Sequence, residues 1–380
     1  MFGKFMNNYY YGKSGKGDYT TEDLPRTRMQ LFFEMLRTRL SGLMRLNLIY
    51  VLPWIPMLLV VGLLYTNSMN VLSLPDQLDA VLLEINTGEM QADGSVIVTA
   101  DDGAQTTYDA ATIAQLREMD AIPEEEMAAS TAQELQNYLL WALLALIPCI
   151  FITGPFTAGV AYVTRNWARD EHAFLWSDMK DAMKENWKGA LVLSGITAVI
   201  PIVVYLCWMF YGATPADSPV MEILLTLGQM IPVMVGVVWY LAITYAYPML
   251  VTYRMSIWTV IRNSLILAIG RLPLSLGVRL LHCVPVALGL IVTLFISPVW
   301  GPMILGMYYV LFGFGLSRFI TASYTNAQFD KFINSRIEGA KVNQGLADVE
   351  EDEEDEEDKE RPLMPWENGY ASQENKSDAE

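Results

Sequence analysis

The sequence predicts an all-α polytopic membrane protein: six transmembrane helices, both termini cytoplasmic, and a small α+β extracytoplasmic insertion. Three observations predict it. Six apolar runs are each close to or above the length that crosses a bilayer. The Lys and Arg residues between them bank on alternate sides. The net charge of −17 over 380 residues is segregated rather than spread. Thr66–Asn137 holds 14 acids and one base, a charge of −13, and Glu338–Glu380 holds 16 acids and 4 bases, a charge of −12. The remainder has 12 acids and 20 bases, a charge of +8. A basic body with two acidic appendages argues against nucleic-acid binding by the whole molecule.

The elements follow in chain order. Residues 1–24 form a polar N-terminal segment, and no cleavable signal peptide precedes the first apolar run. Residues 25–47 read as an amphipathic interfacial helix, with Leu31, Phe32, Met35, Leu36, Leu40, Leu43 and Met44 at helical spacing and Arg37, Arg39 and Arg45 between them. A helix docked on the bundle explains the same pattern. The first span is 46–65. The acidic insertion 66–137 is too long for a bare loop. Within it Leu74–Ile85 and Ala110–Met119 have helical periodicity. Ser95–Ala100 and Gln105–Tyr108 flank Asp101-Asp102-Gly103 as a hairpin. Pro123 with Glu124, Glu125 and Glu126 suits a helix N-terminus, where carboxylates oppose the dipole. Asp101 and Asp102 lack the spacing of a Ca²⁺ loop, so a solvated turn is the simpler reading.

The remaining spans are 138–163, 190–211, 223–253, 272–297 and 299–319. Basic residues fill the N-terminal region and the gaps after the second, fourth and sixth spans. The other gaps hold Arg117 alone, which is the positive-inside pattern for cytoplasmic termini. Residues 338–380 read as a disordered acidic cytoplasmic tail, since the unbroken acids Glu350–Asp358 repel one another. Cys149, Cys207 and Cys283 all fall in apolar runs, so no disulfide framework or metal spacing is implied.

A family resemblance surfaces at Phe151–Leu191. Thr153-Gly154-Pro155, Ala158, Ala161-Tyr162-Val163, Arg169-Asp170-Glu171 and Met183–Lys188 resemble the YesL-like family, the bacterial domain of unknown function 624. Leu46–Tyr50 with Pro53 and Pro56 looks like the family's opening helix, and Tyr247–Leu250 with Ser264–Leu276 like its later portion. The insertion and the tail depart from the family pattern. The resemblance implies a multi-pass protein of the bacterial plasma membrane, in a family often associated with carbohydrate uptake but assigned no activity.

Two features carry candidate chemistry. Arg271, Ser275, Arg279 and His282 are spaced to form one polar stripe entering the fifth span. If that span starts near Leu272, Arg279 lies inside it and can meet an anionic group. If it starts at Leu280, Arg279 snorkels to the interface. The second feature is a pair of helix-break motifs, Thr153-Gly154-Pro155 and Gly301-Pro302, each followed by a glycine and a tyrosine. They read as helix breaking with close packing, or as a weak internal repeat. In the fourth span Glu222, Thr226 and Gln229 share a face, and Pro232 and Pro248 predict kinks. His172 reads as solvated surface. No metalloprotease, P-loop or nucleophile-elbow signature occurs, so the expectation is a non-enzymatic protein without cofactor. The expected role is an accessory component partnered with transporter subunits or a sensor; the alternative is a secondary transporter or channel for a small solute.

Overall fold

A computed structural model describes residues 25–100 and 104–347. The expectations for 1–24, for Asp101-Asp102-Gly103 and for the acidic run and tail beyond 347 lie outside the described residues. Six helical segments there are long and apolar enough to cross a membrane: Arg28–Leu72, Glu124–Ala168, Ser177–Ala213, Pro219–Thr252, Leu272–Phe295 and Trp300–Arg336. Leu59, Leu63, Phe210, Met234, Leu288 and Phe295 on them are exposed, an arrangement stable in lipid and costly in water. The protein is a multi-pass helical membrane protein.

The first segment is α1 (Arg28–Val51), a 3₁₀ turn at Leu52–Trp54, and α2 (Ile55–Leu72). The helix runs straight through the boundary placed at 46/47. It breaks at Pro53 instead, the first residue unable to donate its backbone N–H. Of the proposed interfacial stripe, Leu31, Met35 and Leu43 are buried, while Leu40 and Met44 stay exposed.

The insertion folds as expected, with one addition. Helix α3 is Leu74–Thr87 and α4 is Ala110–Asp120. Strands β1 (Glu89–Met90), β2 (Val96–Thr99) and β3 (Gln105–Tyr108) form one antiparallel sheet in that order, with Val96 opposite Tyr108 and Met90 opposite Val96. Two-residue β1 is too short to show alternation in sequence. Ile85, Val96 and Ile113 form the insertion's own core, with Val81, Val98, Tyr108 and Leu116 packed around it. Gly88 is required there, since a Cβ would sit 2.5 Å from Val96 Cγ1. The Asp109 carboxylate accepts from the Thr112 N–H and caps α4, and that bond holds its pKa below the ordinary 3.8. Ser95 does the same for Asp93 at the β1–β2 turn.

Helix α5 (Glu124–Ala168) is 45 residues, about 67 Å at 1.5 Å per residue, over twice the hydrocarbon thickness. Its first turn carries the three glutamates, so the helix starts where they predict and absorbs the end of the insertion. It also continues unbroken through Thr153-Gly154-Pro155, which corrects the helix-break reading of that motif. Pro155 leaves the Phe151 carbonyl without its N–H partner. Ser194 of α6 (Ser177–Ala213) donates to that carbonyl at 2.8 Å and replaces the lost bond. A Cβ on Gly154 would collide with Ser194 Oγ and the Ala190 carbonyl, so the two backbones approach because residue 154 has none.

Then come α7 (Pro219–Thr252), α8 (Ile257–Gly270) and α9 (Leu272–Phe295). Helix α10 (Trp300–Tyr308) passes through a π-helical turn, Tyr309–Gly313, into α11 (Phe314–Phe332). Gly301-Pro302 lies in the first turn of α10. There a Cβ on Gly301 would overlap Thr293 Oγ1 and come 2.7 Å from the Gly289 carbonyl, so this copy serves close packing of α9 and α10.

By packing, the described chain divides into two units. One is drawn from residues 25–40, Asn166–His172 and residues 326–347, the other from residues 41–100, residues 104–165 and Ala173–Thr325. The first is tied by Asp330, whose carboxylate is 5% exposed and pairs with Arg28 at 2.5 Å. Asp330 also accepts from Asn334 Nδ2 at 2.6 Å and from the Asn343 N–H at 3.2 Å. Arg28 reaches Asn343 Oδ1 as well, at 2.8 Å, and Arg169 donates to Gln344. Asp330→Ala leaves these donors without their shared acceptor. It should cost about 2–3 kcal/mol, less than a fully buried pair because Arg28 is 26% exposed, and thermal unfolding in detergent measures it.

Candidate functional site

The site lies in the second unit, where α1, α7, α9 and α11 bring aromatic and cationic side chains together. Its first layer is a chain of hydroxyls. Tyr245 of α7 shares hydrogen bonds of 2.7 Å with Ser275 of α9 and with Tyr324 of α11. Ser275 is fully buried and donates back to the Arg271 carbonyl at 3.0 Å. Tyr50 of α1, also fully buried, shares a 2.7 Å bond with Thr157 of α5.

The second layer is cationic. Helix α9 begins at Leu272, so Arg279 stands in its third turn, well inside the segment. Its guanidinium lies 4.2 Å from the Tyr240 ring centroid, a cation–π contact, and its Nε is buried without a hydrogen-bond partner. The side chain is thus folded onto α7 rather than stretched along its own helix, as snorkelling requires. His282, one turn on, has both ring nitrogens buried and without hydrogen-bond geometry. It lies by the Ser317 backbone, within electrostatic reach of Arg279 and Arg318.

Arg318 of α11 completes the group. It stands 5.8 Å from the ring centroids of both Tyr50 and Tyr247, and close enough to Arg279 to repel it. The apolar run fades at Ser317, and Arg318, at the end of the span drawn at 299–319, counts in the sequence as a cytoplasmic charge. The helix does not end there. Thr321 donates to the Ser317 carbonyl and Thr325 to the Thr321 carbonyl, each one turn back, and a polar face continues the helix. That i, i+4 row of hydroxyls was the available signal.

Of the predicted stripe, Ser275, Arg279 and His282 share α9. Arg271 does not: it is the residue before the helix, with φ −120° and ψ 35°, and it contributes its carbonyl. Thr153-Gly154-Pro155 and Gly301-Pro302 belong to helix packing and do not join the group. In the fourth span Thr226 bonds the Glu222 carbonyl, and Gln229 donates to the Trp208 carbonyl at 3.3 Å, which makes them local braces.

The π-turn positions Arg318. Asn47 of α1 is fully buried and donates from Nδ2 to the Tyr309 and Val310 carbonyls at 3.0 and 2.7 Å. Its Oδ1 accepts from the Gly315 N–H at 2.7 Å. Trp54 stacks on Phe314 at 5.2 Å, against the same turn. No group of three or more His, Cys, Asp or Glu fit to hold a metal occurs among the described residues.

Tyr245→Phe removes the hydroxyl that joins three helices and leaves Ser275 and Tyr324 without it. The expected loss is about 1–2 kcal/mol, read from thermal unfolding in detergent, with Tyr324→Phe costing less because Ser275 keeps its bond.

Comparison with known proteins places the core. No curated protein and no solved structure matches the chain. Residues 135–208 match the model of a family described as "Protein of unknown function, DUF624". The matched segment contains the α5–α6 contact built by Gly154, Pro155, Ala190 and Ser194. The chain is similar to that family over this segment, 74 of its 380 residues, which spans the second and third membrane helices.

Proposed function

We propose that the protein is a non-enzymatic accessory component of a transport or sensing system in the bacterial plasma membrane, with carbohydrate uptake as the process the family resemblance implies. The observation that carries this reading is the folded insertion. A segment with its own core of Ile85, Val96 and Ile113, set between two spans, is a ready surface for another protein. The proposed orientation puts this insertion outside and both termini in the cytoplasm. Exposed Phe174, Trp176, Trp187 and Trp258 lie beside Lys180, Lys184, Lys188 and Arg262, as interfacial aromatics and cytoplasmic cations do.

One observation favours a second reading, a transporter or channel for a small solute. Arg279 and Arg318 put cationic groups, with His282 beside them, inside the bundle, where solute pathways are found.

Two measurements separate the readings. Cross-linking in native membranes followed by purification should recover stable partners from a transport or sensing system, while the pure protein in liposomes should conduct no solute. Flux by the pure protein that disappears in Arg279→Ala would sink the accessory reading. For orientation, Glu118→Cys in a cysteine-free background should be labelled by an impermeant maleimide from outside intact cells, and labelling only after lysis reverses the topology.

A further inference from the structure

The charge balance of the bundle leaves one site incomplete. From Ile223 to Phe329 the chain has no Asp or Glu, yet it carries Arg254, Arg262, Arg271, Arg279, Arg318 and His282. Two of these arginines meet His282 inside the second unit. Among the described residues neither Arg279 nor Arg318 has a carboxylate within ion-pair distance. Arg279 contacts the ring and the hydroxyl of Tyr240, and Arg318 the rings of Tyr50 and Tyr247. Two like charges within each other's reach in a low-dielectric bundle are costly, and ring quadrupoles offset only part of that cost. Arg279 Nε and both His282 nitrogens are also buried with no hydrogen bond made. Arg279 and Arg318 bring positive charge, and Arg279 Nε is a buried donor without an acceptor. No described residue supplies the missing counter-charge.

We propose that Arg279, Arg318 and His282 form a binding site for a phosphate group. Guanidinium forks match phosphate oxygens, and two of them suit an anion with several oxygens better than a single carboxylate. The rings of Tyr240, Tyr50 and Tyr247 hold the two guanidiniums in place. Tyr240 is 45% exposed, so the site has an edge open to the surface of the bundle. Under the proposed orientation it lies toward the cytoplasmic ends of α7, α9 and α11. There the phosphate arrives either on an anionic lipid of the inner leaflet or as a free phosphate compound. The site stands whether or not the protein serves a transport partner.

The test uses the full chain, purified in detergent and delipidated. Phosphatidylglycerol and phosphatidylcholine of equal chain length are titrated by native mass spectrometry, and inorganic phosphate is titrated by thermal shift against sulfate-free, chloride-matched buffer. A lipid source predicts at least tenfold tighter binding of phosphatidylglycerol than of phosphatidylcholine. It also predicts a tenfold or greater loss in Arg279→Gln and in Arg318→Gln, with no loss in Arg262→Gln. A free source predicts instead that phosphate raises the melting temperature of the wild type and not of the two variants. If the wild type binds both lipids equally and phosphate does not shift it, the proposal is overturned without recourse to any variant. It is likewise overturned if well-folded Arg279→Gln and Arg318→Gln bind as the wild type does.

Discussion

A backbone inside a bilayer has no water to turn to, so each N–H and C=O must find a partner within the protein. The π-helical turn at Tyr309–Gly313 tests that constraint most severely. An i→i+5 turn does not hand its carbonyls on as an α-helix does. One side chain resolves the mismatch: Asn47 donates to two of those carbonyls and accepts the Gly315 N–H. At Gly315 a Cβ would stand 3.0 Å from the Leu43 carbonyl, so any larger residue there has to push α1 and α11 slightly apart. The same logic recurs at Pro155, where Ser194 serves the carbonyl that the proline abandons.

The π-turn has a consequence beyond its own hydrogen bonds. One extra residue in a turn rotates everything after it by about 100° relative to a continuous α-helix. Arg318 lies five residues after the turn, and its guanidinium faces Tyr50 and Tyr247. An uninterrupted α-helix directs position 318 elsewhere. Asn47, the turn and the cationic group are therefore one arrangement. Asn47 and Tyr50 sit one turn apart on α1, so the same helix face that clamps the turn also receives the arginine.

Much of this was legible in the sequence. Apolar runs marked the spans because length in lipid is a strong constraint, and Val96–Thr99 and Gln105–Tyr108 declared a hairpin by their composition. Half of the site was legible too, since Arg279 and His282 are ionisable groups inside an apolar helix. The rest was hidden for physical reasons. Arg318 follows the point where hydropathy falls, and the helix continues on hydroxyls that bond to their own backbone. A π-turn carries no residue signature, because it is a backbone register and not a composition. Asn47 was visible as a polar residue in an apolar run, but its role needs a partner 262 residues away. Pro155 misled for a related reason: a proline breaks a helix only when nothing else serves the freed carbonyl.

Asn47 holds the π-turn in place. Hydrogen exchange of the full chain in lipid nanodiscs tests it most directly, comparing the wild type with Asn47→Leu over residues 305–320. The claim predicts at least tenfold faster exchange in Tyr309–Arg318 of the variant, with Leu280–Leu294 of α9 unchanged. Equal protection of Tyr309–Arg318 in both proteins would contradict it.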